Sequence, residues 1–129
     1  LIDLPPGTSD IHLTVVQTLA MTGAIVVSTP QAVALADARK GINMFTNDKV
    51  NVPILGLVEN MSYLECPDCG KKIYLFGEGK TAQAAAAHNL PLLAEMPIDP
   101  ALASLTDAGS IEDFQGDWLK TVADRLAEK

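Results

Sequence analysis

Apolar residues in this chain gather in short unbroken runs rather than in one long stripe. Leu1 to Leu4, Ala24 to Ser28 (A-I-V-V-S), Val52 to Val58 (V-P-I-L-G-L-V) and Leu92 to Met96 are the clearest. Runs of this length, bounded by Pro, Gly or polar residues, predict strands buried on both faces. Ile73 to Phe76 predicts a further short strand. Helical spacing fills the intervals, over Asp10 to Met21, Gln31 to Phe45, Thr81 to His88 and Ala101 to Asp107. Ser9 or Asp10 can cap the first of these. The last helix carries Phe114, Trp118, Leu119, Val122 and Leu126 on one side, with Asp117, Lys120, Asp124 and Arg125 outside. From Asn60 to Lys72 the periodicity breaks into a loop around two cysteines.

Apolar strands alternating with helices predict an α/β domain, a mostly parallel sheet with helices on both faces. Right-handed crossovers would then place the strand C-termini on one edge, with the loops at Asp3, Thr29 and Glu59 side by side. Residues 1–129 read as the C-terminal part of a single such domain, with a CxxC metal-binding loop at about 60–72. A chain that opens at Leu1 inside an apolar strand is expected to be a piece of a longer protein.

Composition narrows the function classes. The chain is 48% hydrophobic and 19% charged, which suits a folded core. Its formal net charge is −7, which argues against a partner held through a nucleic-acid backbone. No apolar run approaches the ~20 residues that span a bilayer, and no signal peptide is visible. A cytoplasmic protein is expected, with no nucleic-acid or membrane partner.

Four segments carry candidate chemistry. Asp3 ends the first apolar run, directly before Pro5-Pro6-Gly7-Thr8. A carboxylate there can organise Mg²⁺, which prefers water and one or two carboxylates. Gly7, lacking a Cβ, lets a phosphate approach its N–H. The plain alternative is a strand-terminal Asp in a turn. Phe76-Gly77-Glu78-Gly79-Lys80-Thr81 imitates the end of a phosphate-binding loop. However, Tyr74 stands where that motif needs its first Gly, so a Gly turn feeding a helix is the better reading. Asn60, just after a buried strand, can read an adenine edge with its amide donor and acceptor, or can satisfy local backbone.

Cys66-Pro67-Asp68-Cys69-Gly70 is the fourth segment. Two thiolates at this spacing supply half of a tetrahedral metal site or two corners of an iron–sulfur cluster. No other Cys exists, and His12 and His88 lie far along the chain. A symmetric dimer would supply the second pair on its two-fold axis.

Together these segments resemble the Mrp/ApbC family of P-loop ATPases, iron–sulfur cluster carriers related to MinD and ParA. The matching stretches are I-D-L-P-P-G-T-S-D at Ile2 to Asp10, S-T-P-Q at Ser28 to Gln31 and A-L-A-D-A at Ala34 to Ala38. P-I-L-G-L-V-E-N-M-S at Pro53 to Ser62, C-P-D-C-G at Cys66 to Gly70 and the F-G at Phe76 complete them. The resemblance covers nearly the whole chain and weakens after about Asp99.

It implies a partial doubly wound P-loop NTPase domain that dimerises, with a 4Fe–4S cluster bridged by Cys66 and Cys69 of two copies. ATP and Mg²⁺ are the implied cofactors, and apo iron–sulfur proteins are the implied acceptors of the cluster. Asp3 would match the Mg²⁺-organising acid, and Gly7 and Thr8 the γ-phosphate switch loop. Asn60 would match the adenine-reading Asn, with Pro97 and Asp99 near the base. No catalytic base is implied. Ser9 stands where the family usually has Gly, and Glu78-Gly79-Lys80 is charged where it tends towards Gly. The lysine-bearing P-loop and the first switch region do not occur in this sequence.

Two other readings stay open: an interaction module whose Cys pair holds structural zinc between two chains, and a MinD/ParA-like partitioning ATPase. The Cys pair, and the lack of a basic or amphipathic tail, count against the second of these. The parent protein is expected to hydrolyse ATP. The 129-residue chain alone is expected neither to bind ATP tightly nor to hydrolyse it, since no loop cradles the β- and γ-phosphates. A phosphate-release assay on the purified chain should read the buffer blank; turnover above it contradicts the expectation.

Overall fold

The computed structural model describes residues 1–128. Five helices and five strands follow in the order α1 (Asp10–Thr18), β1 (Ala24–Ser28), α2 (Ala32–Thr46), β2 (Ile54–Glu59), β3 (Leu64–Glu65), β4 (Lys72–Ile73), α3 (Lys80–Ala87), β5 (Leu92–Glu95), α4 (Pro100–Asp107) and α5 (Asp117–Ala127). A single 3₁₀ turn, Ile111–Asp113, separates the last two helices.

The apolar runs become a parallel sheet in the order β1-β2-β5. Val26 pairs with Leu57 and Ser28 with Glu59, while Glu59 pairs with Glu95. Strand side chains alternate between faces. Val26, Leu57 and Leu92 therefore face the layer of α2 and α3, where Ile42, Phe45, Val52, Ile54, Leu57 and Ala85 form the buried core. The ladder skips Leu55 on β2 and Leu93 on β5, and these bulged residues turn to the other face, where with Leu126 of α5 they line a cavity of about 140 Å³. The sheet is thus flanked by helices on both faces, as the apolar runs predicted.

Three expectations change. Residues 1–4 pair with no described strand, and only Leu4 packs against the core. Leu1 and Ile2 are 115% and 49% exposed. A strand exists only through its ladder, so an apolar run without a neighbour stays irregular. β1 is not buried on both faces: it is the sheet's edge, and Val27 is 60% exposed. Within the expected loop at 60–72, β3 and the start of β4 form an antiparallel hairpin, Leu64 opposite Ile73 and Glu65 opposite Lys72.

The loop at Asp3 also fails to join the loops at Thr29 and Glu59. α2 starts at the strands' C-terminal edge and ends at Phe45 on the opposite edge, where the Val52 N–H donates to the Phe45 carbonyl. His12, in the first turn of α1, sets its ring edge-on to Phe45 with centroids 6.5 Å apart. His12 Nδ1 accepts from the Ser9 N–H at 3.2 Å, which ties the preceding loop to that same end. With residues 1–4 outside the ladder, burial of His12 and Val16 decides where α1 sits.

Gly56 is the tightest point of the sheet. A Cβ there would stand 2.6 Å from Leu93 Cγ and 2.8 Å from the Pro91 carbonyl oxygen. That oxygen accepts the Leu57 N–H and cannot retreat without breaking the ladder. Gly56→Ala should destabilise the fold by about 2–3 kcal/mol, seen as a lower urea midpoint at unchanged slope. An unchanged midpoint contradicts this packing.

Candidate functional site

The C-terminal edge of the sheet is shaped by the way the chain leaves β2. Glu59 is 1% exposed, although it is a carboxylate. Its Oε1 accepts from the Ser62 hydroxyl at 2.6 Å. Between them Met61 takes the left-handed conformation, φ +55°, which side chains disfavour. The Asn60 Oδ1 supports it by accepting the Met61 N–H at 2.9 Å.

This turn is then laced to the segment after β5. The Met96 N–H donates to the Glu59 carbonyl, the Ser62 N–H to the Met96 carbonyl and the Ile98 N–H to the Tyr63 carbonyl, at 2.7, 2.9 and 2.7 Å. Asn60 and Pro97 are brought together by this lacing. One lone pair of the Asn60 Oδ1 is taken by the turn, and the second lone pair and the amide N–H₂ are further hydrogen-bonding capacity. Asp99, two residues on from Pro97, caps α4, its Oδ1 accepting the Ala101 N–H at 2.8 Å. That contact gives Asp99 a structural task of its own.

Asp3, Gly7 and Thr8 are exposed. Gly7 has φ +91° and open space where a Cβ would sit, which suits close approach of a phosphate. The loop nevertheless lies at the Phe45 end, away from Asn60. The residues named for the base and those named for Mg²⁺ and phosphate are therefore not assembled into one nucleotide site here. Lys80 turns back on its own loop, its Nζ donating to the Phe76 carbonyl at 3.3 Å. The resemblance of this turn to a phosphate loop is accordingly superficial.

From Tyr63 the chain runs into the β3–β4 hairpin, whose tip carries both cysteines. The Cys66 N–H donates to the Lys71 carbonyl, and the Gly70 N–H to the Cys66 carbonyl at 2.8 Å. Gly70 closes the knuckle at φ +68°, a conformation that Gly adopts without strain. Below the tip, the Tyr63 and Tyr74 rings lie 6.0 Å apart, and Lys72 Nζ stands 4.1 Å over the Tyr63 ring.

Both thiols are free, Cys66 half-buried and Cys69 exposed. The Cys69 backbone N–H, then that of Asp68, then the Cys69 thiol hold the Cys66 thiol below its ordinary pKa. Amides aimed at one sulfur stabilise the thiolate, the form that binds metal. Among the described residues no three potential ligands cluster together. The knuckle therefore fits a thiolate-bound metal or cluster as half of its coordination, with the remainder supplied from outside it.

Sequence reasoning placed Glu59 at a strand end and Thr81 at a helix start, and gave neither of them, nor Ser62, a role of its own. All three are buried, and Glu59 Oε2 and Thr81 Oγ1 have no hydrogen-bond partner among the described residues. The available signal was a carboxylate closing an otherwise apolar strand, I-L-G-L-V-E. No helix among the described residues is long and apolar enough to cross a membrane.

Residues 1–128 match the family model "ParA: NUBPL iron-transfer P-loop NTPase". An iron-sulfur cluster carrier protein of Aquifex aeolicus is 50% identical over 107 residues, 83% of this chain and 29% of the relative. The Arabidopsis thaliana iron-sulfur protein required for NADH dehydrogenase, mitochondrial, is 48% identical over 108 residues, 84% of this chain and 34% of the relative. The chain thus spans about a third of the length of these relatives. A solved nucleotide-binding protein from Archaeoglobus fulgidus, in complex with ADP, superposes with a TM-score of 0.78 at 45% identity. That match covers 90% of this chain and 47% of the other. This chain belongs to the ParA/NUBPL family of iron-transfer P-loop NTPases.

Proposed function

We propose that this chain is the cluster-holding part of an ATP-dependent iron–sulfur cluster carrier. Cys66 and Cys69 would hold one side of a 4Fe–4S cluster, and the same pair on a second copy would hold the other. The observation that carries this reading is the knuckle itself: two free thiols on a hairpin tip, one of them held towards thiolate. Two thiolates cannot close the four-cornered cluster, and two-fold symmetry is the simplest way to double them. The names of the carrier relatives support the cargo.

The cluster is cargo, so its site must give it up. An exposed tip with only two ligands per chain suits that task better than a closed four-ligand cage. An acceptor presenting its own thiolates can replace one pair while the other still holds the cluster. The proposed acceptors are apo iron–sulfur proteins.

Nucleotide dependence is proposed for the whole protein, with Asn60, Pro97 and Asp99 on the base side and Asp3, Gly7 and Thr8 on the Mg²⁺ and phosphate side. The ADP complex of the Archaeoglobus fulgidus relative supports it. When bound, ATP would supply the phosphate charge, and its hydrolysis the free energy, that tune the geometry of the pair. In this structure the two sides stand apart.

Anaerobic reconstitution with iron and sulfide should turn the chain brown, with broad absorbance near about 400 nm. Cys66→Ala or Cys69→Ala should each abolish the colour and leave the unfolding free energy from urea titration within about 0.5 kcal/mol of the parent. A colourless protein carrying stoichiometric zinc, or a coloured double-cysteine variant, contradicts the proposal.

A further inference from the structure

The cysteine hairpin has two unlike faces. Side chains alternate along a ladder, and residues opposite one another share a side. Leu64 stands opposite Ile73, and Glu65 opposite Lys72. The Cys66 N–H donates to the Lys71 carbonyl, so the ladder runs on to the pair Cys66 and Lys71. One face therefore carries Tyr63, Glu65, Lys72 and Tyr74, and it is closed on itself. Tyr74 leans on Tyr63, and Lys72 Nζ caps the Tyr63 ring. The other face carries Leu64, Cys66, Lys71 and Ile73.

That second face is open. Ile73 is 42% exposed, and Leu75, two residues further on, is 57% exposed. A hairpin with two residues per strand is marginal by itself. Apolar side chains held out on it add nothing to the single chain, and a grouped exposure of this kind marks a contact surface.

The thiols decide what meets it. Cys66 emerges on the apolar face, and the Cys69 N–H and thiol both reach its sulfur, so the site opens on that side. Two thiolates leave a tetrahedral metal or a cluster half-coordinated. A second copy that supplies the missing pair must approach from the side on which the sulfurs stand. Sulfurs on one metal ion lie within about 4 Å of each other, given metal–sulfur bonds of about 2.3 Å. Diagonal neighbours across a ladder lie about 7–8 Å apart, and Ile73 is the diagonal neighbour of Cys66. A partner close enough to share the metal is therefore close enough to cover Ile73.

Charge agrees. Lys71 is exposed and stands opposite Cys66 on the same face. A second copy brings two more thiolates towards it. An apolar stripe beside a lysine fits a partner that is itself apolar and thiolate-bearing.

We propose that the face of the cysteine hairpin formed by Leu64, Ile73 and Leu75 is the surface on which a second copy of this chain seats, with Lys71 balancing the shared thiolates. The contact is isologous, so each substitution counts twice. So few side chains bury less than the roughly 1,200 Å² of a stable interface, and the face does not hold the pair alone. It acts together with the shared metal, each contact raising the effective concentration for the other. The inference rests on the proposal above that a metal or cluster bridges two copies, but not on the identity of the metal.

The test uses the full-length protein without nucleotide, reconstituted with iron and sulfide or, separately, loaded with Co²⁺, whose thiolate absorption reports the sulfur ligands. Sedimentation over a range of protein concentrations gives the dissociation midpoint of the loaded pair. Ile73→Lys should raise that midpoint at least about tenfold, because each copy loses an apolar contact and gains a charge at the seam. Ile73→Val should stay near the parent. Lys71→Gln should weaken the pair by less, and more at low salt than at high. Lys72→Ala, on the opposite face, should leave the midpoint unchanged. All three positions are exposed, so unfolding free energies should stay close to the parent's.

An Ile73→Lys pair as tight as the parent's overturns the proposal and leaves the shared-metal reading in place. Equal weakening by Ile73→Lys and Lys72→Ala also overturns it, because the effect then belongs to the stem and not to one face. If Ile73→Lys pairs normally but hands its cluster to an apo iron–sulfur protein more slowly, the face belongs to the acceptor and the proposal is again overturned. A parent that holds Co²⁺ or a cluster as a single chain removes the shared site, and the proposal falls with it.

Discussion

One buried carboxylate fixes how the chain leaves the central strand, and most of the candidate chemistry follows from that exit. Glu59 closes β2 inside the core and grips Ser62 three residues later. That short bridge forces the left-handed turn at Met61 and brings the following backbone alongside the segment after β5. The turn at Asn60 is left beside the segment that carries Pro97, and the hairpin with the cysteines follows from Tyr63. A buried carboxylate with a single hydrogen bond is an expensive fastener. It persists where the geometry that it enforces is needed more than the stability that it gives up.

The sheet was legible because its strands come as short, largely apolar runs, which a sheet covered on both faces rewards. Val52 to Val58 and Leu92 to Met96 foretold β2 and β5 to within two residues. Local pattern says nothing about neighbours, and that is where reading failed. Leu1 to Leu4 has the composition of a buried strand but no ladder to join. Ala24 to Ser28 does form a strand, yet lies at an edge with Val27 in the open. Phe114 was assigned to the last helix by its spacing from Trp118. It lies before that helix, because Gly116 is the N-cap.

Of the candidate site, the cysteine pair was plain from spacing alone, since chemistry demands two thiols close together. The hairpin beneath it was not, because strands of two residues leave no periodicity to read. The juxtaposition of Asn60 and Pro97 depends on hydrogen bonds between segments far apart in sequence. Asp3, Gly7 and Thr8 illustrate the reverse limit. Their types and spacing suit a phosphate site, but the packing of His12 on Phe45 holds their loop at the other end of α2.

The central claim is that the cysteine pair is half of a site completed by a second copy. Native mass spectrometry of the anaerobically reconstituted protein tests it most directly. The mass should be that of two chains sharing a single 4Fe–4S cluster, and Cys66→Ala should return it to cluster-free chains. A cluster or metal ion carried by one chain alone, with no paired species at any protein concentration, would contradict it.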